Sequence, residues 1–289
     1  MKKIREIRKG LYSNAKEVSI NEYGVDLDNW RAEPYTSLKA RFYMEASSVL
    51  VWLLLKTKIK PNTVTIFYGL AGIIGCVLLS IPYKWTIIVA LFIFFTKGIL
   101  DWTDGQLARE TKQTSLAGHM LDAYGAQLGA LGLQIGLGFY VAQKVDFMPF
   151  FYLVPLIPFF YTASLTSFCY SPLFDQISKE SLKIQNEKNL QKEKNGENNG
   201  ADDIRSDRWK RYLWINHVLD DRARSVDFIL LLILIEIIYP SFFVTWIVFL
   251  LLVFKRFLIF SGKFYLVAYK GWVERTLETK LNEILSGKS

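Results

Sequence analysis

Apolar residues in this chain are gathered into runs long enough to cross a bilayer, and no other feature restricts its fold so tightly. Six segments, 63–81, 84–104, 118–142, 149–169, 225–239 and 241–260, approach the roughly 20 apolar residues that a spanning helix needs. Hydrocarbon offers no partner to a backbone N–H or C=O, so lipid-exposed runs of this length predict helices. Pro61, Pro82, Pro149 and Pro240 fall at or near segment ends, where a missing N–H does least harm. Of the 289 residues 51% are hydrophobic, too many for a soluble protein of this size with its apolar positions so clustered. The expected fold class is therefore all-α: a polytopic membrane protein, its six transmembrane helices preceded by an interfacial amphipathic helix.

The net charge of +8 is also clustered, and its distribution speaks to membrane orientation rather than to nucleic acid. The connections after the first, third and fifth segments hold Lys84, Lys144, Asp146 and little other charge. The opposite side carries the basic N-terminus, Arg109, Lys112, a long charged loop, and Lys263, Lys270, Arg275 and Lys280. By the positive-inside rule both termini are expected in the cytoplasm, and a bacterial inner membrane suits the Lys- and Asn-rich composition. Lys2, Lys3, Arg5, Arg8 and Lys9 are not followed by an apolar run, so no secretory signal is expected. Cys76 and Cys169 each lie inside an apolar run and read as packing residues.

Residues 1–35 are expected to form a cytoplasmic N-terminal segment. In 36–60, Leu38, Phe42, Ala46, Val49, Leu50 and Leu53 recur at helical spacing, with Lys39, Arg41 and Glu45 on other faces. That pattern predicts a helix lying in the cytoplasmic leaflet surface. Residues 61–262 form the six-helix domain, interrupted at about 176–208 by a Lys-, Glu-, Asn- and Gln-rich linker with too few apolar residues to order itself. Trp209, Tyr212, Leu213 and Trp214 predict a second surface helix, and 263–289 a cytoplasmic tail.

The chemistry is concentrated at the tips of the second and third spans. Asp101 and Asp104 stand at i, i+3 on one helix, and Asp122 follows a connection of about a dozen residues that lets the two tips meet. A charged side chain within a membrane costs a few kcal/mol and marks a functional site by default. Three gathered carboxylates repel unless protons or a cation neutralise them, and hard oxygen donors suit Mg²⁺ or Mn²⁺, whose remaining ligands are commonly phosphates and water. Gly105 and Ala108 remove bulk from the same turns, and Arg109 presents a planar fork to phosphate oxygens. Taken singly, each is an ordinary helix-end residue: a solvated Asp, a terminating Gly, a headgroup-anchoring Arg. In this order and spacing, their combination is not.

The run D-x2-D-G-x2-A-R-x8-G-x3-D from Asp101 to Asp122 resembles the signature of the CDP-alcohol phosphatidyltransferase family. Pro61-Asn62-Thr63-Val64-Thr65 resembles the family's opening of its first membrane helix, and the resemblance extends over about 36–262. It implies that Asp101, Asp104 and Asp122 ligate two divalent metals holding the CDP diphosphate. It likewise implies that Asn62, Thr65, Gly105, Ala108, Arg109 and Ser115 line the nucleotide site. The implied partners are a CDP-alcohol donor, a small alcohol or phospho-alcohol acceptor, membrane lipid and a second copy of the chain, with no nucleic acid. The implied reaction moves a substituted phosphate to the acceptor hydroxyl and releases CMP, in phospholipid or related lipid or glycan synthesis.

The chain departs from the family pattern at one place. Four residues after Asp122, where the resemblance implies a further Asp serving as general base, stands Ala126. A general base contributes about 10² to 10⁴ in rate. His119, three residues before Asp122, is the nearest candidate substitute, although a polar residue at a helix start needs no catalytic role. Three accounts stay open for Ala126: a natural variant with another base, an engineered inactive version, or a relative that binds without turnover. A cation-coupled transporter is a further alternative of a different class. Lys97, one turn before Asp101, either neutralises that acid or contacts an acceptor phosphate, or it snorkels to the interface. Lys255 and Arg256, near the cytoplasmic end of the sixth segment, are expected to snorkel, with an acceptor-phosphate site as the alternative. The small residues from Gly125 to Gly138 predict close helix packing.

Overall fold

The computed structural model describes residues 4–23, 34–145, 148–161 and 223–270, and every regular element among them is a helix. In chain order these are α1 (Ile4–Tyr23), α2 (Pro34–Leu54), α3 (Pro61–Leu79), α4 (Lys84–Thr111), α5 (Leu116–Val145), α6 (Met148–Leu153), α7 (Ala223–Ile238) and α8 (Thr245–Lys270). The expected linker at 176–208, the surface helix near Trp209, and Cys169 lie outside the described residues.

Four stretches are long and apolar enough to cross a membrane: Pro61–Leu79, Lys84–Thr111, Ala117–Val145 and Thr245–Gly262. The expected fourth span, 149–169, is described only to Tyr161. The expected fifth is α7, whose 16 residues fall short of the usual spanning length of about 20 and which carries both Asp227 and Glu236. The protein is thus an all-helical integral membrane protein with four helices of spanning character among the described residues.

The described residues fall into two compact units, the first running to Val154 and resuming with α7 and the start of α8 through Phe249. Its centre is a stack of α3 on both α4 and α5. Glycines set the α3–α5 spacing. A Cβ on Gly72 would lie 2.7 Å from the Gly129 Cα, and one on Gly132 would lie 2.3 Å from the Gly72 carbonyl oxygen. Small residues that let backbones touch replace the hydrophobic driving force that lipid cannot supply. The expectation of close packing along Gly125–Gly138 holds.

α2 buries several polar side chains beside Met44 and Val51. Leu38, Phe42, Val49 and Leu53 are exposed, whereas Ser37, Lys39, Ser47 and Ser48 are buried. Ser47 Oγ donates to the Ile99 carbonyl at 2.9 Å, Tyr43 Oη donates to the Phe95 carbonyl at 2.9 Å, and the Tyr43 ring covers Gly98. Polar groups turned to a neighbouring helix, with Leu, Phe and Val turned outward, follow the solvent logic of lipid.

The N-terminal segment, expected only as a cytoplasmic extension, contains α1. Ile7 and Leu11 are buried with Val51, Val64 and Leu107, so α1 seals the ends of α2, α3 and α4. Arg8 pairs with Glu45 at 2.6 Å, and Tyr12 Oη donates to the same carboxylate at 2.6 Å. Burial, then this hydrogen bond, pushes the Tyr12 phenol above its ordinary pKa. In the second unit, the Phe160 ring packs against Phe257 and Phe260 at centroid distances of 5.6 and 5.4 Å.

Candidate active site

Three helix ends meet at one place: the starts of α3 and α5 and the last turns of α4. α4 stops in a left-handed residue, Lys112 at φ 56°, after which the Gln113 N–H donates to the Ala108 carbonyl at 2.9 Å. That sharp closure lets α5 begin almost at once. Ser115 caps it, its Oγ accepting the Gly118 N–H at 3.0 Å. The expected nucleotide-site role of Ser115 therefore shares its oxygen with a capping bond. Gly118 in turn leaves room for Asn62, whose Oδ1 would stand 3.3 Å from a Cβ there. Asn62 on α3 and Ser115 at the start of α5 are thus neighbours.

Asp104 is buried, and Thr65 Oγ1 donates to its Oδ2 at 2.6 Å. Asp101 and Asp122 are partly buried, and their carboxyl groups lie within hydrogen-bonding reach of each other. The Tyr68 hydroxyl reaches Asp101, and its ring packs onto Gly125. The two helix tips therefore do meet. They do not close one cage: among the described residues, no three His, Cys, Asp or Glu side chains are grouped to hold an ion together. Thr65 competes for Asp104 and turns it towards α3, while Asp101 and Asp122 face each other.

Around this core, Arg109 is exposed, with its Nε donating to Gln106 Oε1 at 3.1 Å and its guanidinium lying over Gly105. Gln106 is buried and donates to Glu110 at 2.9 Å, and its amide sits under Gly10 of α1. Ala108 is partly buried on the same turn. His119 is exposed within electrostatic reach of Asp122, and Ala126 is exposed one turn further along α5. Tyr68 and Gln106 escaped the sequence reading. Tyr68 stands three residues after Thr65 and shares its helix face, which is the signal that would have found it. Nothing local distinguishes Gln106, because only the docking of α1 buries it.

The helical membrane protein thus sets paired carboxylates at the tips of adjacent apolar helices, with hydroxyls beside them and an arginine at the rim. Residues 58–168 match the family model described as CDP-alcohol phosphatidyltransferase, a transferase family, and the match takes in Asn62, Thr65, Asp101, Asp104, Arg109, Ser115 and Asp122. No curated protein and no solved structure matches the chain.

Proposed function

We propose that the protein transfers a substituted phosphate from a CDP-alcohol to an acceptor hydroxyl and releases CMP, with Mg²⁺ or Mn²⁺ held at Asp101, Asp104 and Asp122. The observation that carries this is the facing pair Asp101 and Asp122, with Asp104 beside it on α4 and bonded to Thr65. Two carboxylates at that separation repel unless a proton or a cation lies between them. The donor set fits a hard divalent ion by ligand type, and oxygen donors of substrate and water complete such sites. The bound ions would neutralise the diphosphate and stabilise charge on the attacking and departing oxygens.

The chain's own residues have separable tasks. Thr65 fixes the rotamer of Asp104, and Tyr68 fixes that of Asp101. Gly105 and Ala108 leave the α4 backbone open to the nucleotide, Arg109 takes diphosphate oxygens, and Asn62 and Ser115 border the cytidine. The acceptor oxygen forms a new bond to the phosphorus that carries the alcohol. The bond from that phosphorus to the bridging oxygen breaks, and CMP departs with the electron pair. His119 is the candidate to receive the hydroxyl proton. The site faces the cytoplasm in a homodimer, and the product enters phospholipid or related lipid or glycan synthesis. α2 lies along the cytoplasmic interface and the chain crosses the membrane six times.

Purified protein incubated with CDP-diacylglycerol and an alcohol acceptor is expected to release CMP with Mg²⁺ or Mn²⁺ and not with EDTA. Metal-independent release would overturn the metal assignment. Ala126 favours a second reading, in which the CDP-alcohol binds without turnover. It predicts metal-dependent binding of the CDP compound, no CMP release, and activity gained in Ala126→Asp.

A further inference from the structure

One half-buried cation has no place in the roles above. Lys97 lies four residues before Asp101 on α4, and it does not snorkel. Its ammonium points inward onto α5, where a Cβ on Gly129 would lie 2.0 Å from Nζ. The same ammonium stands 5.1 Å from the Tyr68 ring centroid and within the field of Asp101. Among the described residues, Lys97 takes part in no ion pair, unlike Lys39, which pairs with Asp227, and Lys144, which pairs with Glu236. A desolvated ammonium without a partner is costly, which makes it a receiver for an anion.

The face it reaches is the one that departs from the family pattern. On α5, Asp122, Ala126 and Gly129 follow at i, i+4 and i+7 and share a face. A carboxylate at 126 would have stood one turn from the Lys97 ammonium. Ala126 is exposed and Gly129 has no side chain, so neither residue offers this ammonium a carboxylate. Along α4, Lys97 lies about 6 Å to one side of Asp101 and Arg109 about 12 Å to the other, at about 1.5 Å per residue. The acids are bracketed along α4 by two cations. Lys39 adds its charge near Lys97 and is itself bonded to Asp227, which Tyr35 also meets.

We propose that Lys97, lying against Gly129 of α5, binds the anionic group of the acceptor, and that the acceptor is a phosphate monoester of an alcohol. This rests on the transferase reading. An amino alcohol would bring its own cation to an ammonium that no carboxylate pairs with, whereas a phosphate dianion supplies the missing counter-charge.

The test pairs acceptors that differ only in phosphate: sn-glycerol 3-phosphate against glycerol, and inositol 1-phosphate against inositol, with serine and ethanolamine as amino alcohols. CMP release from CDP-diacylglycerol with Mg²⁺ is expected for the phosphorylated members alone. Lys97→Met is expected to raise the acceptor KM at least about 10-fold, the scale of a lost charged hydrogen bond, and to leave the donor KM unchanged. Lys97→Arg restores part of the loss. Gly129→Ala, whose methyl displaces the ammonium without changing charge, shows the same acceptor defect. Equal turnover with glycerol, or equal changes in both KM values, would overturn the assignment and leave the transferase reading intact. Thermal stability in detergent supplies a readout independent of turnover: glycerol 3-phosphate, and not glycerol, is expected to stabilise wild type and not Lys97→Met. Should the CDP compound with Mg²⁺ neither bind nor react, the transferase reading falls. A Lys97-dependent phosphate effect would then still support the anion site, and its absence would end both.

Discussion

Buried carboxylates stand near both ends of α5, and their surroundings differ in kind. Near its end, Glu236 of α7 is fully buried and every oxygen is engaged. Oε1 accepts the Val244 and Thr245 N–H groups, both at 2.7 Å. Oε2 accepts the Thr245 hydroxyl at 2.9 Å, the Tyr140 hydroxyl at 3.0 Å and Lys144 Nζ at 3.2 Å. Near its start, Asp101 and Asp122 are only partly buried and face each other, with the Tyr68 hydroxyl reaching Asp101. Saturated hydrogen bonding offsets the desolvation of one acid and makes it a staple between α7, α8 and α5. Unsaturated carboxylates store repulsion that a cation relieves. Burial alone does not identify a functional acid; the supply of donors separates the two cases.

Substitution at the two ends breaks this comparison most directly. Asp122→Asn or Asp101→Asn is expected to reduce metal-dependent CMP release by more than about 100-fold, because even partners behind metal ligands contribute 10- to 100-fold. Thermal stability should stay unchanged or rise as repulsion is removed, and a large drop in stability would make these acids structural. Glu236→Ala should do the reverse. It strands Lys144 and two backbone N–H groups, so unfolding in detergent should become easier by about 3–5 kcal/mol, with activity per folded molecule retained.

Smaller effects sharpen the contrast within the active end. Thr65→Val removes the hydroxyl that holds Asp104, and a hydrogen bond to a charged group is worth about 1.5–3 kcal/mol. Metal affinity measured by Mg²⁺ titration of CMP release should weaken about tenfold or more, whereas Thr65→Ser should retain it. Gly72→Ala forces a methyl against the Gly129 Cα and is expected to cost about 1–3 kcal/mol in thermal stability, separating α3 from α5. The smallest change is Lys112→Gly, which relieves the left-handed backbone at the end of α4 and should raise stability by up to about 1 kcal/mol.

Hydropathy alone exposed the helical class, four of the six expected spans and the placement of Asp101, Asp104 and Asp122 at adjoining tips, because lipid leaves a backbone few choices and acids beside hydrocarbon are conspicuous. The small-residue run on α5 was equally legible, since close helix approach demands it. α1 was not: its buried stripe of Ile7, Leu11 and Ala15 is short, is diluted by charge, and gains meaning only from the groove it fills. The tertiary structure also decided how the acids are shared. Thr65 takes Asp104 while Asp101 and Asp122 confront each other, a division fixed by the glycine-set distance between α3 and α5. Lys97 shows the same limit, for its sequence position permitted an outward reach and the missing side chain at Gly129 directs it inward. The order of residues determined which groups reach the membrane boundary; packing of one helix on another determined which of them find partners there.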